Sequence, residues 1–376
     1  MTASKVYFSD RNTDSWYNML DKLEHVFNSM GLCEAIQKDS KVMIKTHMGL
    51  FGNTNHIRPA YVRKLVDLVK ASGGIPFVSD TCSLGYGTAR PYGGRTIAPD
   101  YYSRAEMNGY TQATVGAPII IADGYWGSDF LEYPVNGTHI QSVPVPSALF
   151  DCDLVIVLSH AKFHHVGIAS TLKNMGVGLV AKKGKSAVHS PKGLEVYPDK
   201  CLGHKCSECI SACPVRCIKV DTTVVIDMEK CIQCGHCSSI CSGEVKAGAL
   251  KLTWSGENMA EKIVENTYGI MQTIGTEKFF FINLAIDISN MCDCVCYGAP
   301  LLMHDLGVFG SRDPVAIDAA TASIMGTAAR NSAAAASENV SELLHRSQKF
   351  FKHGMAIGLG SSEFELVKLT KSNPSI

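Results

Sequence analysis

The chain has 376 residues, with 35 basic and 35 acidic side chains and a formal net charge of zero. It is long enough for one large core plus a small module, and it offers no basic footprint for nucleic acid or an anionic membrane. Its longest apolar runs, Leu154 to Leu158 and Phe279 to Ile286, fall far short of the ~20 residues needed to cross a bilayer.

The first residues, Met-Thr-Ala-Ser-Lys-Val-Tyr-Phe, lack the apolar stretch of a secretory signal. Together with 15 cysteines, this points to a reducing cytoplasm and, for exposed clusters, an anaerobic setting.

In chain order, Val42 to Lys45 reads as a strand, and Pro59 to about Ala71 as a helix with Leu65, Val66 and Val69 on one face. Gly73-Gly74 stops the helix, and Ile75 to Val78 reads as the next strand, closing at Asp80. The stretch from Tyr86 to Gly137, rich in Gly, Pro and Tyr, reads as an extended excursion over the sheet edge, placed to act as a substrate-facing lid. Leu154 to Leu158 is a third strand, followed by a helical pattern from Ile168 to about Val180. A helix near Met259 to Ile274 precedes a fourth strand, Phe279 to Leu284. Asp313 and Pro314 open another helix as N-cap and first residue. The tract Ala334 to Ala336 is good helix sequence. This alternation predicts an α/β fold, a mostly parallel sheet with helices on both faces.

The densest signal interrupts that pattern. Cys231-Ile-Gln-Cys234-Gly-His-Cys237-Ser-Ser-Ile-Cys241 has the C-x2-C-x2-C-x3-C spacing of ferredoxins with two [4Fe–4S] clusters, in which the last cysteine of each run ligates the other cluster. A second, irregular run is Cys206-Ser-Glu-Cys209-Ile-Ser-Ala-Cys213-Pro214, with Cys201 upstream. The spacing assigns Cys201, Cys206, Cys209 and Cys241 to one cluster, and Cys231, Cys234, Cys237 and Cys213 to the other.

Gly203 stands where a regular run would carry its first cysteine, leaving a C-x4-C gap. For the fourth ligand, His204, Cys217 or a three-iron cluster remain as alternatives to Cys201. Cys217 otherwise reads as a packing thiol, and Ser242 replaces the second proline. Structural zinc would need two pairs, not two longer runs, and disulfides an oxidising compartment. Residues 198–252 thus form an inserted bacterial-ferredoxin-like α+β domain, and 1–197 with 253–376 a discontinuous α/β core.

Ligands of parallel sheets bind beyond the carboxyl ends of the strands. Here those ends carry Lys45 and His47, Asp80 with Thr81 and Cys82, and Lys162 and His164. Lys173 and Asn174 follow, then Lys182, Lys183 and Lys185. Lys162, His164 and Lys173 are candidate catalytic groups, and Lys45, His47, Asp80 and Asn174 candidate binding groups, for a small anionic ligand. The fourth strand runs on into Cys292-Asp293-Cys294-Val295-Cys296; continued alternation would set three thiols on one face with Asp293 opposite, a potential third metal or redox site shared with Cys82. Cys33 and Cys152 read as buried packing residues.

Several motifs together make the chain similar to the uncharacterised iron–sulfur family catalogued as domain of unknown function 362, in the form with an inserted ferredoxin module. They are His160-Ala-Lys162-Phe-His164, Thr171-Leu-Lys173-Asn174-Met-Gly176, Lys183-Gly-Lys185 with His189-Ser190, and the two cysteine runs. Cys292-Asp293-Cys294, Asp305-Leu-Gly307, Ser311 to Asp318 and Ile357 to Gly360 complete the set. The resemblance implies two [4Fe–4S] clusters, a split α/β core and electron transfer.

The expected function is an iron–sulfur oxidoreductase acting on an anionic substrate or cofactor, with FMN or prenylated FMN as the flavin candidates; a redox protein or flavoenzyme is the expected partner. Gly-x-Gly-x-x-Gly after a strand is absent, and Gly85-Tyr-Gly87 does not replace it, so NAD is not expected. The alternatives are an electron carrier that docks to a larger complex and a maturation factor acting on another enzyme's cofactor.

Overall fold

The computed structural model describes residues 3–84, 94–190, 192–331 and 340–371. Its centre is an eight-stranded sheet. The strands are β1 (Ser4–Asp10), β2 (Lys41–Lys45), β3 (Ile75–Asp80), β4 (Ile119–Ile121), β5 (Leu154–His160), β6 (Phe279–Ala285), β7 (Gly307–Ser311) and β8 (Phe364–Lys368). Their order is β8-β1-β7-β6-β5-β2-β3-β4. Every pairing is parallel except the two made by β7, which runs antiparallel to β1 and β6.

Strands β5 and β6 are buried along their whole length, so both of their faces are apolar, as a parallel sheet covered on both sides requires. On one face Ile156, Leu158, Phe280 and Ile282 pack against helices α1 (Met19–Ser29) and α2 (Pro59–Ala71) through Leu23, Phe27, Leu65 and Val69. Helix α3 (Ala98–Met107) adds Tyr101 and Ala105 to that layer. On the other face Val155, Val157, Phe279 and Phe281 meet α4 (Thr171–Gly176), α6 (Met259–Ile274), α7 (Pro314–Thr327) and α8 (Val340–Ala356). Asp313 caps α7 as expected, accepting from the N–H groups of Val315 at 2.8 Å and Ala316 at 2.9 Å.

Three expectations need correction. The helix foreseen from Ile168 to Val180 is broken. Ile168 lies in a short hairpin, Lys162–His164 with Gly167–Ala169, and α4 ends at Gly176, before a separate helix α5 (Lys182–His189). Close packing is the cause: a Cβ on Gly176 would lie 2.0 Å from the Ile263 carbonyl oxygen, and one on Gly178 2.8 Å from Lys45 Nζ.

The excursion from Tyr86 to Gly137 is not open loop where it is described. It builds α3, the edge strand β4 and one arm of a hairpin, Phe130–Pro134 with Ser142–Pro146. Residues 85–93, with Gly85 and Gly87, lie outside the described residues, as does the Ala334 to Ala336 tract. Finally, Cys33 is exposed, not buried, and accepts a 3.6 Å contact from the Ser72 hydroxyl, whereas Cys152 is buried.

The cysteine-rich segment enters and leaves through one antiparallel hairpin, Leu194–Val196 with Leu250–Leu252. Strands β1 to β5 precede it and β6 to β8 follow it, yet all eight share one sheet. Its own small apolar cluster holds Leu194, Ile218, Val224 and Leu250 beside Cys209, Cys217, Cys237 and Cys241. Among the described residues no helix is long and apolar enough to cross a membrane.

Candidate functional site

The cysteine runs wrap two cavities. The first, about 340 Å³, is lined by Cys201, Cys206, Cys209 and Cys241, with Val220 and Leu250 among its apolar walls. The second, about 300 Å³, is lined by Cys213, Cys231, Cys234 and Cys237, together with Cys217 and His236. The quartets that sequence spacing assigns to separate clusters therefore face separate spaces.

The irregular first run has a structural cause. Gly203 sits at φ +56°, where a Cβ would come within 2.7 Å of the Thr222 carbonyl oxygen, so no cysteine fits there. Its N–H instead donates to Cys201 Sγ at 3.4 Å. His204 points away into solvent, paired with Asp221 at 2.9 Å. Cys217 packs against Cys213, with 3.5 Å between sulfurs, and its N–H donates to that sulfur at 3.4 Å. Ser242, in place of proline, ties the second run to the entry hairpin by donating to the Leu250 carbonyl at 2.8 Å. Burial pushes the Cys209 thiol up to about 11 and those of Cys234 and Cys237 upward too. Thiols raised in this way give up their protons only as they bind a metal, so binding there would release protons.

A buried contact ties this module to the core. Lys182, fully buried at the start of α5, brings its ammonium within 2.5 Å of His236 Nε2 and donates to the Thr96 carbonyl. His236 lies between Cys234 and Cys237, and its ring meets Trp126 edge-on at 6.0 Å. Burial, then the Lys182 charge, push His236 down to about 3, so the imidazole is neutral and accepts from the lysine.

The carboxyl ends of the sheet hold two buried ionic groups. Asp80, at the end of β3, pairs with Lys45 at 3.0 Å and Arg95 at 3.8 Å and accepts from the Tyr101 hydroxyl. Lys45 also donates to Asn174 Oδ1 at 2.6 Å, and Asn174 donates to the Leu158 carbonyl at 3.1 Å. Burial works to raise the Asp80 carboxyl, but Lys45, His47 and Arg95 hold it below 3.8.

The second group centres on Asp293. Lys162 reaches it at 2.5 Å and His160 Nδ1 at 3.0 Å, while His160 Nε2 faces the Ile286 carbonyl at 2.7 Å. Beside it, Lys173 Nζ lies 3.2 Å from Cys292 Sγ. His47 joins the two groups electrostatically, feeling Arg95 and Asp80 on one side and Cys292 and Asp293 on the other; burial depresses it to about 3.

Of the residues expected from sequence, Lys45, His47, Asp80, Lys162, Lys173 and Asn174 lie in or beside these two groups, but in different relations, while Lys183 pairs with Glu132 on the hairpin. Lys162 is an ion-pair partner of Asp293, whereas Lys173 is the cation facing a thiol. His164 is half-buried, its pKa well lowered by burial and by Lys173. Its Nδ1, His47 Nε2, Thr46 Oγ1 and Asp123 Oδ2 are buried polar atoms without a hydrogen-bond partner among the described residues, the kind of atom that a ligand or ordered water satisfies.

The strand reading of Cys292 to Cys296 is corrected. β6 ends at Ala285, and the thiols lie in a turn closed by Val295 N–H to the Cys292 carbonyl at 3.2 Å, so no period-two face exists. Cys82 does not join them. Its N–H donates to Asp123 at 2.9 Å, and burial raises its thiol. Arg95, Tyr101 and the Lys182–His236 pair were not anticipated. Arg95 and Tyr101 belong to the excursion, and the identity of a long-range ion-pair partner has no local signature.

Helix α4, which bears Lys173, is held at its first turn by Asp318 of α7. Asp318 accepts from the N–H groups of Thr171 at 3.0 Å and Leu172 at 2.9 Å, and from Asn283 at 2.9 Å. Burial raises its carboxyl to about 6. Asp318→Ala should lower the unfolding free energy by about 2–3 kcal/mol through lost charge-assisted bonds, read as a reduced denaturant midpoint at unchanged slope.

Residues 42–323 match the family described as Domain of unknown function (DUF362). A 60-residue stretch is 37% identical to "Aliphatic sulfonate oxidoreductase, polyferredoxin-like subunit" of Pyrococcus furiosus, covering 14% of this chain and 35% of that one. Another of 47 residues is 38% identical to "Ferredoxin 7Fe" of Hydrogenibacillus schlegelii, covering 12% and 60%. Among solved structures, the lactate racemase apoprotein of Thermoanaerobacterium thermosaccharolyticum aligns at 10% identity and a TM-score of 0.32, over 76% of this chain and 51% of that one. The chain spans less than two thirds of the length of each of these three relatives. The cysteine module is ferredoxin-like, and the family match takes in that module and most of the α/β sheet around it: the chain belongs to the DUF362 family.

Proposed function

We propose that the protein is an oxidoreductase in which two [4Fe–4S] clusters exchange electrons with an anionic ligand held at the carboxyl ends of β2, β3 and β5. Cys201, Cys206, Cys209 and Cys241 would hold one cluster, and Cys213, Cys231, Cys234 and Cys237 the other. Bound there, the clusters supply one-electron redox chemistry.

The observation that carries this reading is the Lys182–His236 contact. It runs from between two cysteines of the second run to a lysine on the strand-end side of the core. Electron transfer needs a fixed separation, and a buried contact between module and core supplies one. The residues of this chain would position the ligand. Lys45, Arg95 and Lys185 are buried cations around the strand ends, and burial lowers Lys185 to about 8, within reach of proton exchange near neutrality. A phosphate-bearing flavin such as FMN or prenylated FMN suits such a cationic surround.

Anaerobic purification followed by iron, sulfide and flavin analysis of one sample tests the reading. About eight irons and eight sulfides per chain, with a bound flavin or other phosphate compound, is the expected result. Absence of iron would overturn it. Lys182→Met should lower the reduction potential of one cluster and leave the other unchanged, because a buried cation beside Cys234 favours the more negative reduced state.

The matched relatives favour one second reading, an electron-carrying subunit of a larger complex, since both are named as ferredoxin-type proteins. Iron without any bound anionic ligand would select it. A factor that resets the redox state of another enzyme's cofactor would share the same site chemistry.

A further inference from the structure

The turn after β6 places two thiols in unlike surroundings within one residue of each other. Cys292 is buried, with the Lys173 ammonium at 3.2 Å and the Cys294 N–H at 3.4 Å from its sulfur. Its carbonyl accepts from Asn53 at 3.3 Å, the Asp293 carbonyl accepts from Leu50 N–H at 2.9 Å, and Asn55 holds the Ala299 carbonyl at 3.1 Å. Gly52 lies directly beneath Cys296, where a Cβ would come within 2.3 Å of the Cys296 carbonyl oxygen. The loop after β2 therefore clamps the turn.

We propose that Cys292 and Cys294 form a redox-active dithiol, converting to a disulfide and back as the two-electron partner of the two one-electron clusters. Building on the function proposed above, it names the group that would meet the substrate. In the oxidising direction the Cys292 thiolate and the Cys294 thiol form one S–S bond. One proton leaves to water and two electrons leave singly, each reducing one cluster. In the reducing direction the S–S bond would break as it takes up one proton and two electrons, for which the two clusters would serve as one-electron donors.

The electronic asymmetry fits. A hydrogen bond from Cys294 and then, against burial, the Lys173 charge hold Cys292 well below the usual thiol range, while Cys294 is raised by the same hydrogen bond. One sulfur is thus a thiolate nucleophile and its neighbour keeps the proton. A one-residue gap closes a small, strained ring, which makes the disulfide a good electron acceptor. Buried contacts span part of the way from this turn to the second cysteine quartet. His236 meets Lys182, Lys182 meets the Thr96 carbonyl, and the adjacent Arg95 is among the charges acting on Cys294.

The test uses the cluster-loaded full chain, equilibrated anaerobically in a series of reduced and oxidised dithiothreitol mixtures, quenched with iodoacetamide and digested for mass spectrometry, with iron assayed in parallel. The expected result is a Cys292–Cys294 link, lighter by two hydrogen atoms and unalkylated at both positions in oxidising mixtures. It should be replaced by alkylation of both in reducing ones. Cys294→Ser should abolish the link while Cys292 stays alkylatable. Alkylation of both cysteines regardless of the mixture, a link from either to Cys296, or a metal held by Cys292 and Cys294 would overturn the proposal. Loss of iron with an intact link would instead count against the cluster reading alone.

Discussion

Asp80→Ala should destabilise the protein by about 3–5 kcal/mol, the cost typical of stripping one partner from a buried ion pair. Asp80 is 2% exposed, and its partners Lys45 and Arg95 are 0% and 6% exposed, so solvent does not replace what is lost. Lys45 would keep only Asn174 Oδ1, and the Tyr101 hydroxyl would lose its acceptor. Against a total stability of about 5–15 kcal/mol typical of folded proteins, that is roughly a fifth or more.

Chemical denaturation should show the loss as a lower midpoint. Adding Lys45→Met to the alanine variant should restore part of it, because the uncompensated buried charge is removed. The sign with pH follows from the lowered carboxyl. The stabilisation is fully present above the ordinary value of 3.8 and fades as pH falls below it. The gap between the natural protein and Asp80→Asn should therefore be constant near neutrality and narrow in acid.

Cys234→Ala should halve the iron content, from about eight to about four atoms per chain, while the eight-stranded core stays folded. The side chain lines the second cavity and not the first. The module should loosen, because its apolar cluster is small and four of its buried members are themselves cysteines. Domains of that size depend on metal for cohesion. Circular dichroism should keep its α/β signal, dominated by the core, while protease cuts concentrate within 198–252. Cys209→Ala should give the same iron loss from the other cavity. Retention of about eight irons in either variant would refute the quartets.

Much of this was legible in the sequence because it rests on local rules. β2, β3, β5 and β6 are apolar runs buried on both faces, and α2 and α6 carry long amphipathic patterns, so their limits could be read directly. The gathering of the cysteines around two cavities was legible because runs with this spacing bring their thiols together along the chain. The missed features depend on contacts distant in sequence. β1, β7 and β8 are marginal strands until they pair with one another, and α4 stops where Gly176 meets the Ile263 carbonyl. Lys162 looked like a free strand-end cation, but Asp293, far along the chain, neutralises it. The thiols of Cys292 to Cys296 alternate in sequence, yet the chain turns there because the loop after β2 donates hydrogen bonds to its carbonyls.

The strand order has a consequence for synthesis. β1 pairs only with β7 and β8 among the described strands, so both of its neighbours are made after the cysteine module. β6, in the middle of the sheet, also follows the cysteine module. The nascent chain therefore carries an unfinished sheet, one edge of β5 still open, throughout the time the cysteines emerge. Cluster insertion can begin while that edge waits for β6, and closure of the sheet is a late step with high contact order. A stall between the module and residue 279 would leave a chain able to bind iron yet unable to complete its core.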